Sequence, residues 1–245
     1  MMTQAQDEFC LINESVRRRR SRGPCDDAVW RGTIAAMQID AVGVSVGELD
    51  MEVTLLGEGE EEIRSLHGEL RGWPVDDPTG EWKEKRIGDV LGWVSRSPFS
   101  PDLVGAADVL DAEAAEMAWA ATDLVETVED GATDVVLVSR LKINGGDTSD
   151  LPVEGRLELL LGPTLRVLLD TMQADPATTV LVVGTGGLLV SHNEFLGEDA
   201  DRAACRAADL QPLGDGRCWY LPHPVPGSWV YQADAPSLFR RMRGI

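Results

Sequence analysis

DVVLVSRLKI at 134 to 143, NGGDTSDLPVEG at 144 to 155 and GPTLRVLLDTM at 162 to 172 place a β-branched run, a loop and an amphipathic segment in succession. A strand that feeds a helix through a loop is a common α/β arrangement for holding a phosphate-bearing ligand. The first backbone N–H groups of the helix have no intrahelical partner, and its dipole favours an anion. Val135 to Ile143 reads as a strand buried on both faces for much of its length. The helix after it is expected to start at Gly162-Pro163, because proline is tolerated in a first turn and removes an i to i−4 hydrogen bond further in. Leu165, Leu168, Leu169 and Met172 then form its apolar face. A rival register starts the helix near Pro152 and carries Pro163 as a kink.

Upstream of this unit, WRGTIAAMQIDAVGVSV at 30 to 46, ELDMEVTLL at 48 to 56, SLHGELRGWPV at 65 to 75 and IGDVLGWV at 87 to 94 are β-type runs punctuated by glycine and proline. An antiparallel meander is the simplest account of them. DDPTGEWKEK at 76 to 85 and SRSPFSP at 95 to 101 read as polar loops. The segment VLDAEAAEMAWAATDLVETVEDG at 109 to 131 is the clearest helix. Leu110, Ala114, Met117, Ala118, Ala121, Leu124, Val125 and Val128 share one face, Asp108 or Asp111 can cap the start, and Gly131 can end it.

Downstream, TTVLVVGTGG at 178 to 187 is a strand and turn, EDADRAACRAADL at 198 to 210 a short helix, and RCWYLP at 217 to 222 a last strand. The order predicts an α/β (α+β) protein with a mixed, mostly antiparallel central sheet flanked by helices. Residues 1–28 read as a flexible basic arm, 29–221 as a single domain, and 222–245 as a proline-rich tail ending in FRRMRGI.

Forty-two acidic residues against 22 basic ones give a formal net charge of −20. Such a chain repels nucleic acid and anionic membrane over most of its surface. Arg17, Arg18, Arg19, Arg20 and Arg22 are the local exception, and they read as a solvated basic turn because no aromatic or helical pattern accompanies them. No apolar run approaches the ~20 residues of a membrane helix. Cys10, Cys25, Cys205 and Cys218 form no CxxC pair and have no histidine at metal-ligand spacing, so reduced thiols in a cytoplasm and no bound metal are expected.

VLDAEAAEMA at 109 to 118, VVLVSRLKI at 135 to 143, Gly162 with LRVLLDTM, VLVV at 180 to 183 and AADLQPLGDGRCWYL at 207 to 221 together resemble the GNAT acyltransferase superfamily, most closely over 107 to 170. The resemblance implies a GNAT-like sheet in which the strand at 135 to 143 splays from its neighbour. Leu141 and Ile143 at its end would pair with the pantetheine arm of acetyl-CoA or another acyl-CoA. The following loop, of the type R/Q-x-x-G-x-G/A, would turn its N–H groups on the pyrophosphate at a helix N-terminus. Residues 157 to 162 correspond to that loop, so Leu161, Gly162 and Thr164 are the implied cofactor contacts, with Arg156 as a nearby cation. In this chain Leu157 stands at the Arg/Gln position, Leu160 replaces a glycine that lets backbone approach the phosphate, and Glu158 adds a negative charge.

The reaction that the resemblance implies is transfer of an acyl group from acyl-CoA to a small-molecule or protein amine. It needs a base for the amine and often a tyrosine acid. Tyr220 and Tyr231 do not stand where that acid is expected, and Glu69 is one conceivable base among many carboxylates. The alternative is a catalytically inactive GNAT-like interaction or regulatory module that has lost CoA binding and engages a protein partner. Gly184-Thr185-Gly186-Gly187 matches a dinucleotide-binding turn only in part, since Leu189 takes the third glycine position, and a plain tight turn is the simpler reading. His67, His192 and His223 are scattered and support no catalytic triad.

Overall fold

Alternation with a period of two organises the N-terminal half, as a half-buried sheet requires. In a computed structural model, which describes residues 28–34, 46–56, 63–74, 85–96, 103–128, 131–143, 153–191 and 194–229, four strands form an antiparallel meander. They are β1 (Ala28–Ile34), β2 (Val46–Leu56), β3 (Arg64–Pro74) and β4 (Lys85–Ser95). Met51, Val53 and Leu55 of β2, Leu66 and Leu70 of β3, and Val90 and Val94 of β4 are buried in one core. The intervening Glu52, His67, Glu69, Arg71 and Asp89 face the other way. Glycine is required at Gly92, where β4 shifts register against β5, because a Cβ there would run into the carbonyl of Leu137.

Two helices follow where one was expected. α1 (Leu103–Leu110) buries Leu103 and Ala107 one turn apart, and α2 (Ala112–Val125) starts after Asp111, whose extended backbone breaks the helix. The Asp111 side chain accepts a hydrogen bond from Glu113 N at 2.9 Å, so one of the two expected caps is realised. The expected apolar face is also realised, with Ala114, Met117, Ala118, Ala121, Leu124, Val125 and Val128 all buried. Leu110 is the exception, at 46% exposed, because it ends α1 beyond the packed turn.

β5 (Asp134–Ile143) pairs antiparallel with β4 and parallel with β6 (Thr179–Gly184), and the helix α3 (Val153–Met172) crosses between them. The start expected at Gly162-Pro163 is therefore corrected: the helix begins at Val153 and runs through Pro163. An interior proline costs roughly 3 kcal/mol. Complete burial of one leucine contributes about 1.5–3 kcal/mol, and Leu160, Leu161, Leu165, Leu168, Leu169 and Met172 are all buried in the larger core.

The chain closes with β7 (Leu189–Ser191), β8 (Glu194–Phe195), α4 (Glu198–Ala207), β9 (Gln211–Leu213) and β10 (Cys218–Tyr220). The sheet order is β1-β2-β3-β4-β5-β6-β10-β9, with β7 on β5 and β8 on β7, so the fold is mixed α/β and mostly antiparallel. α3 and α4 cover one face over the larger core, and α1 and α2 cover β5 and β6 on the other. The proline-rich stretch after Leu221 is packed as far as Trp229, which is 4% exposed and donates from Nε1 to Ala208 O at 3.0 Å. The basic arm up to residue 27, the loop at 144–152, the acidic run at 58–62 and the end of the chain from 230, including Tyr231, lie outside the described residues.

Candidate functional site

In open α/β sheets the crevice beyond the carboxyl ends of parallel strands is the usual ligand position. Here that position is the seam between β5 and β6. The two strands pair from Asp134↔Thr179 to Val138↔Val183, and then β5 changes partner. Leu141, Lys142 and Ile143 pair with Leu189, Val190 and Ser191 of β7, also in parallel, and Leu141 N donates to Leu188 O at 2.6 Å. The end of β5, where main-chain groups would otherwise be open to an extended ligand, is occupied by the chain's own strand.

The turn that carries β7 into place is held by one carboxylate. Asp201, 1% exposed on α4, accepts through Oδ2 from Gly186 N (2.8 Å), Gly187 N (3.1 Å) and Leu188 N (3.2 Å), and through Oδ1 from Leu189 N (3.0 Å). Successive N–H groups converging on one point form an anion-binding nest. Gly186 supplies the positive φ of 95° that lets the amides converge. The partial glycine motif at 184 to 187 is thus a tight turn, and the amides of Gly186 and Gly187, with those of Leu188 and Leu189, bind an internal carboxylate.

The residues singled out from sequence are distributed as follows. Leu141 and Ile143 are buried at 0% and 4% exposure in the larger core, with their backbone paired to β7. Arg156 lies in the first turn of α3, and its side chain is outside the described set. Leu161, Gly162 and Thr164 lie inside α3 rather than at its N-terminus. Backbone N–H groups that deep in a helix are bonded to carbonyls one turn back and cannot turn toward a phosphate. Gly162 has a packing role, since a Cβ there would stand 3.3 Å from Ala208 Cα where α4 ends against α3. Thr164 is fully buried, and its Oγ1 has no hydrogen-bond partner among the described residues.

Glu69 is engaged by two guanidinium groups, Arg71 Nε at 2.7 Å and Arg86 at 3.7 Å. His67 Nε2 pairs with Asp89 Oδ1 at 3.2 Å, and Arg86 binds the same carboxylate. Tyr220 OH donates to Gln211 Oε1 at 3.2 Å. The sequence reading missed Glu113, in the first turn of α2. Its Oε1 would lie 3.5 Å from a Cβ on Gly184 at the end of β6, so it stands at the seam. Burial pushes its carboxyl above the ordinary range, against the opposing influence of Arg140 on β5. Arg140 in turn lies over the Phe195 ring of β8, with Cζ 5.6 Å from the centroid. This arrangement can hold a proton on Glu113 or accept a cation beside it. No local motif marks Glu113, because its setting depends on a strand seventy residues further on.

Among the described residues no group of three or more His, Cys, Asp or Glu side chains is placed to hold a metal, and no helix is long and apolar enough to cross a membrane. Comparison of the chain with protein-family models, with curated proteins and with solved structures finds no match.

Proposed function

We propose that this chain is a GNAT-like module that no longer binds acyl-CoA and acts by interaction or regulation rather than by acyl transfer. One observation carries the reading: Leu141 to Ile143, the strand end that the resemblance assigns to the pantetheine arm, is hydrogen-bonded to β7. An acyl-CoA would have to displace β7. That displacement would expose Leu188 and Leu189, both 0% exposed, and break the four amide bonds to Asp201. Each buried leucine lost to water costs about 1.5–3 kcal/mol, and stripping the Asp201 carboxylate of its partners costs about 3–5 kcal/mol. These losses would consume most of the binding free energy of a micromolar cofactor, about 8 kcal/mol.

The rival reading, an N-acyltransferase acting on a small-molecule or protein amine, is favoured by Glu113. A half-buried carboxyl with a raised pKa at the seam suits a general base. Thermal denaturation and calorimetry with acetyl-CoA and with CoA separate the two readings. A ligand that binds only the folded state raises Tm with concentration. We expect no shift and no saturable heat from either compound. A concentration-dependent rise in Tm would overturn the proposal and restore the enzyme reading.

A further inference from the structure

α4 and the β9–β10 hairpin flank a shallow, open cleft of about 420 Å³, lined by Arg202, Arg206, Trp219 and the turn Gly214-Asp215-Gly216 among others. Its volume falls in the range of small-molecule sites, roughly 300–1,000 Å³. Its charge runs against that of the chain, which carries 42 acidic residues to 22 basic ones. Arg202 and Arg206 are one helical turn apart on the same face of α4. Arg202 is paired with Glu198 at 2.9 Å. Arg206 has no carboxylate partner among the described residues. Its guanidinium instead lies over the Trp219 ring, with Cζ 5.6 Å from the centroid.

A cation–π contact of this kind uses none of the guanidinium's N–H donors, which remain in the fork that matches a carboxylate or phosphate. The indole is itself fixed, because Trp219 Nε1 donates to Gly216 O at 3.0 Å. Asp215, the one acidic group lining the cleft among the described residues, is paired with Arg217 Nε at 3.0 Å. Gly214 and Gly216 have positive φ, and a Cβ at either would meet nothing within 4 Å, so the turn leaves open space on that side.

We infer that this cleft binds a small organic oxyanion, a carboxylate or phosphate carried on an apolar body, with Arg206 as the principal contact and Arg202 as a second cation. The cleft shares no residue with the β5–β7 seam, so the inference stands or falls separately from the CoA titration. The test is calorimetric titration of the full chain at low salt with benzoate, phenyl phosphate and inorganic phosphate. The two aryl compounds distinguish the oxyanion, and inorganic phosphate lacks the apolar body. Saturable binding of one aryl anion is expected with Kd below about 1 mM, tighter than inorganic phosphate. It should weaken at least about tenfold, or 1.4 kcal/mol, in Arg206→Gln, with Arg206→Lys intermediate because the charge survives without the fork. Circular dichroism of each variant checks that the fold is retained. Absence of saturation with both aryl anions, binding no tighter than that of inorganic phosphate, or binding unchanged in Arg206→Gln overturns the inference.

Discussion

Asp201 shows how much one side chain can decide. Its carboxylate satisfies four consecutive amides, those of Leu188 and Leu189 buried, so Asp201→Ala leaves the buried donors without an acceptor. The expected loss is about 3–5 kcal/mol, read as a lowered urea midpoint, with Asp201→Asn intermediate. A loss below about 1 kcal/mol would mean that water replaces the carboxylate at little cost. Glu113 gives a pH signature. Burial raises its pKa in the folded state, so the folded protein holds that proton more tightly than the unfolded chain. The resulting stabilisation is complete below the unfolded value and disappears as pH rises through the folded one. Glu113→Gln should therefore flatten the decline in Tm just above the ordinary glutamate range, and an unchanged pH profile would count against the assignment. The two described thiols are predicted to be unreactive. Burial pushes Cys218 up to about 11 and Cys205 higher still, so neither should be alkylated at pH 8 before denaturation, as judged by mass spectrometry.

At the scale of elements, β7 is the decisive piece, although it is only three residues long. Leu189 anchors it at 0% exposure, and Leu189→Ala is expected to cost about 2–5 kcal/mol. The same substitution should speed hydrogen exchange at Leu141 and Ile143 while leaving Val136 to Val138 protected, since those residues pair with β6. Equal acceleration along all of β5 would show that the two halves do not open separately. The long strands and α2 were legible because their periodicity is local: apolar residues alternate in β3 and recur at helical spacing from Ala114 to Val128. The start of α3 was misread because the rule against interior proline is also local. Burial of six apolar side chains along one helix outweighs it. β7 was illegible because GLLVSHNEF is too short to show a period, and only the unpaired end of β5 gives it a partner.

For the whole molecule, a net charge of −20 sets the response to salt. Raising sodium chloride from about 10 to 200 mM shortens the screening length from about 30 Å to below 10 Å. Self-repulsion is then reduced and Tm should rise. A fall would show that ion pairs on the sheet, such as those of Arg71 and Arg86 with Glu69, outweigh the repulsion. The mixed, mostly antiparallel architecture, the choice of Asp108 or Asp111 as N-cap and the acidic character were legible in the sequence, because propensity, periodicity and charge are carried by neighbouring residues. Packing of distant elements was needed to show that β5 exchanges β6 for β7, that the amides of Gly186 to Leu189 close on Asp201 and that Arg206 lies over Trp219 at cation–π distance. Those choices depend on which polar groups are left unpaired once distant elements have packed, and the spacing of residues along a chain does not encode that.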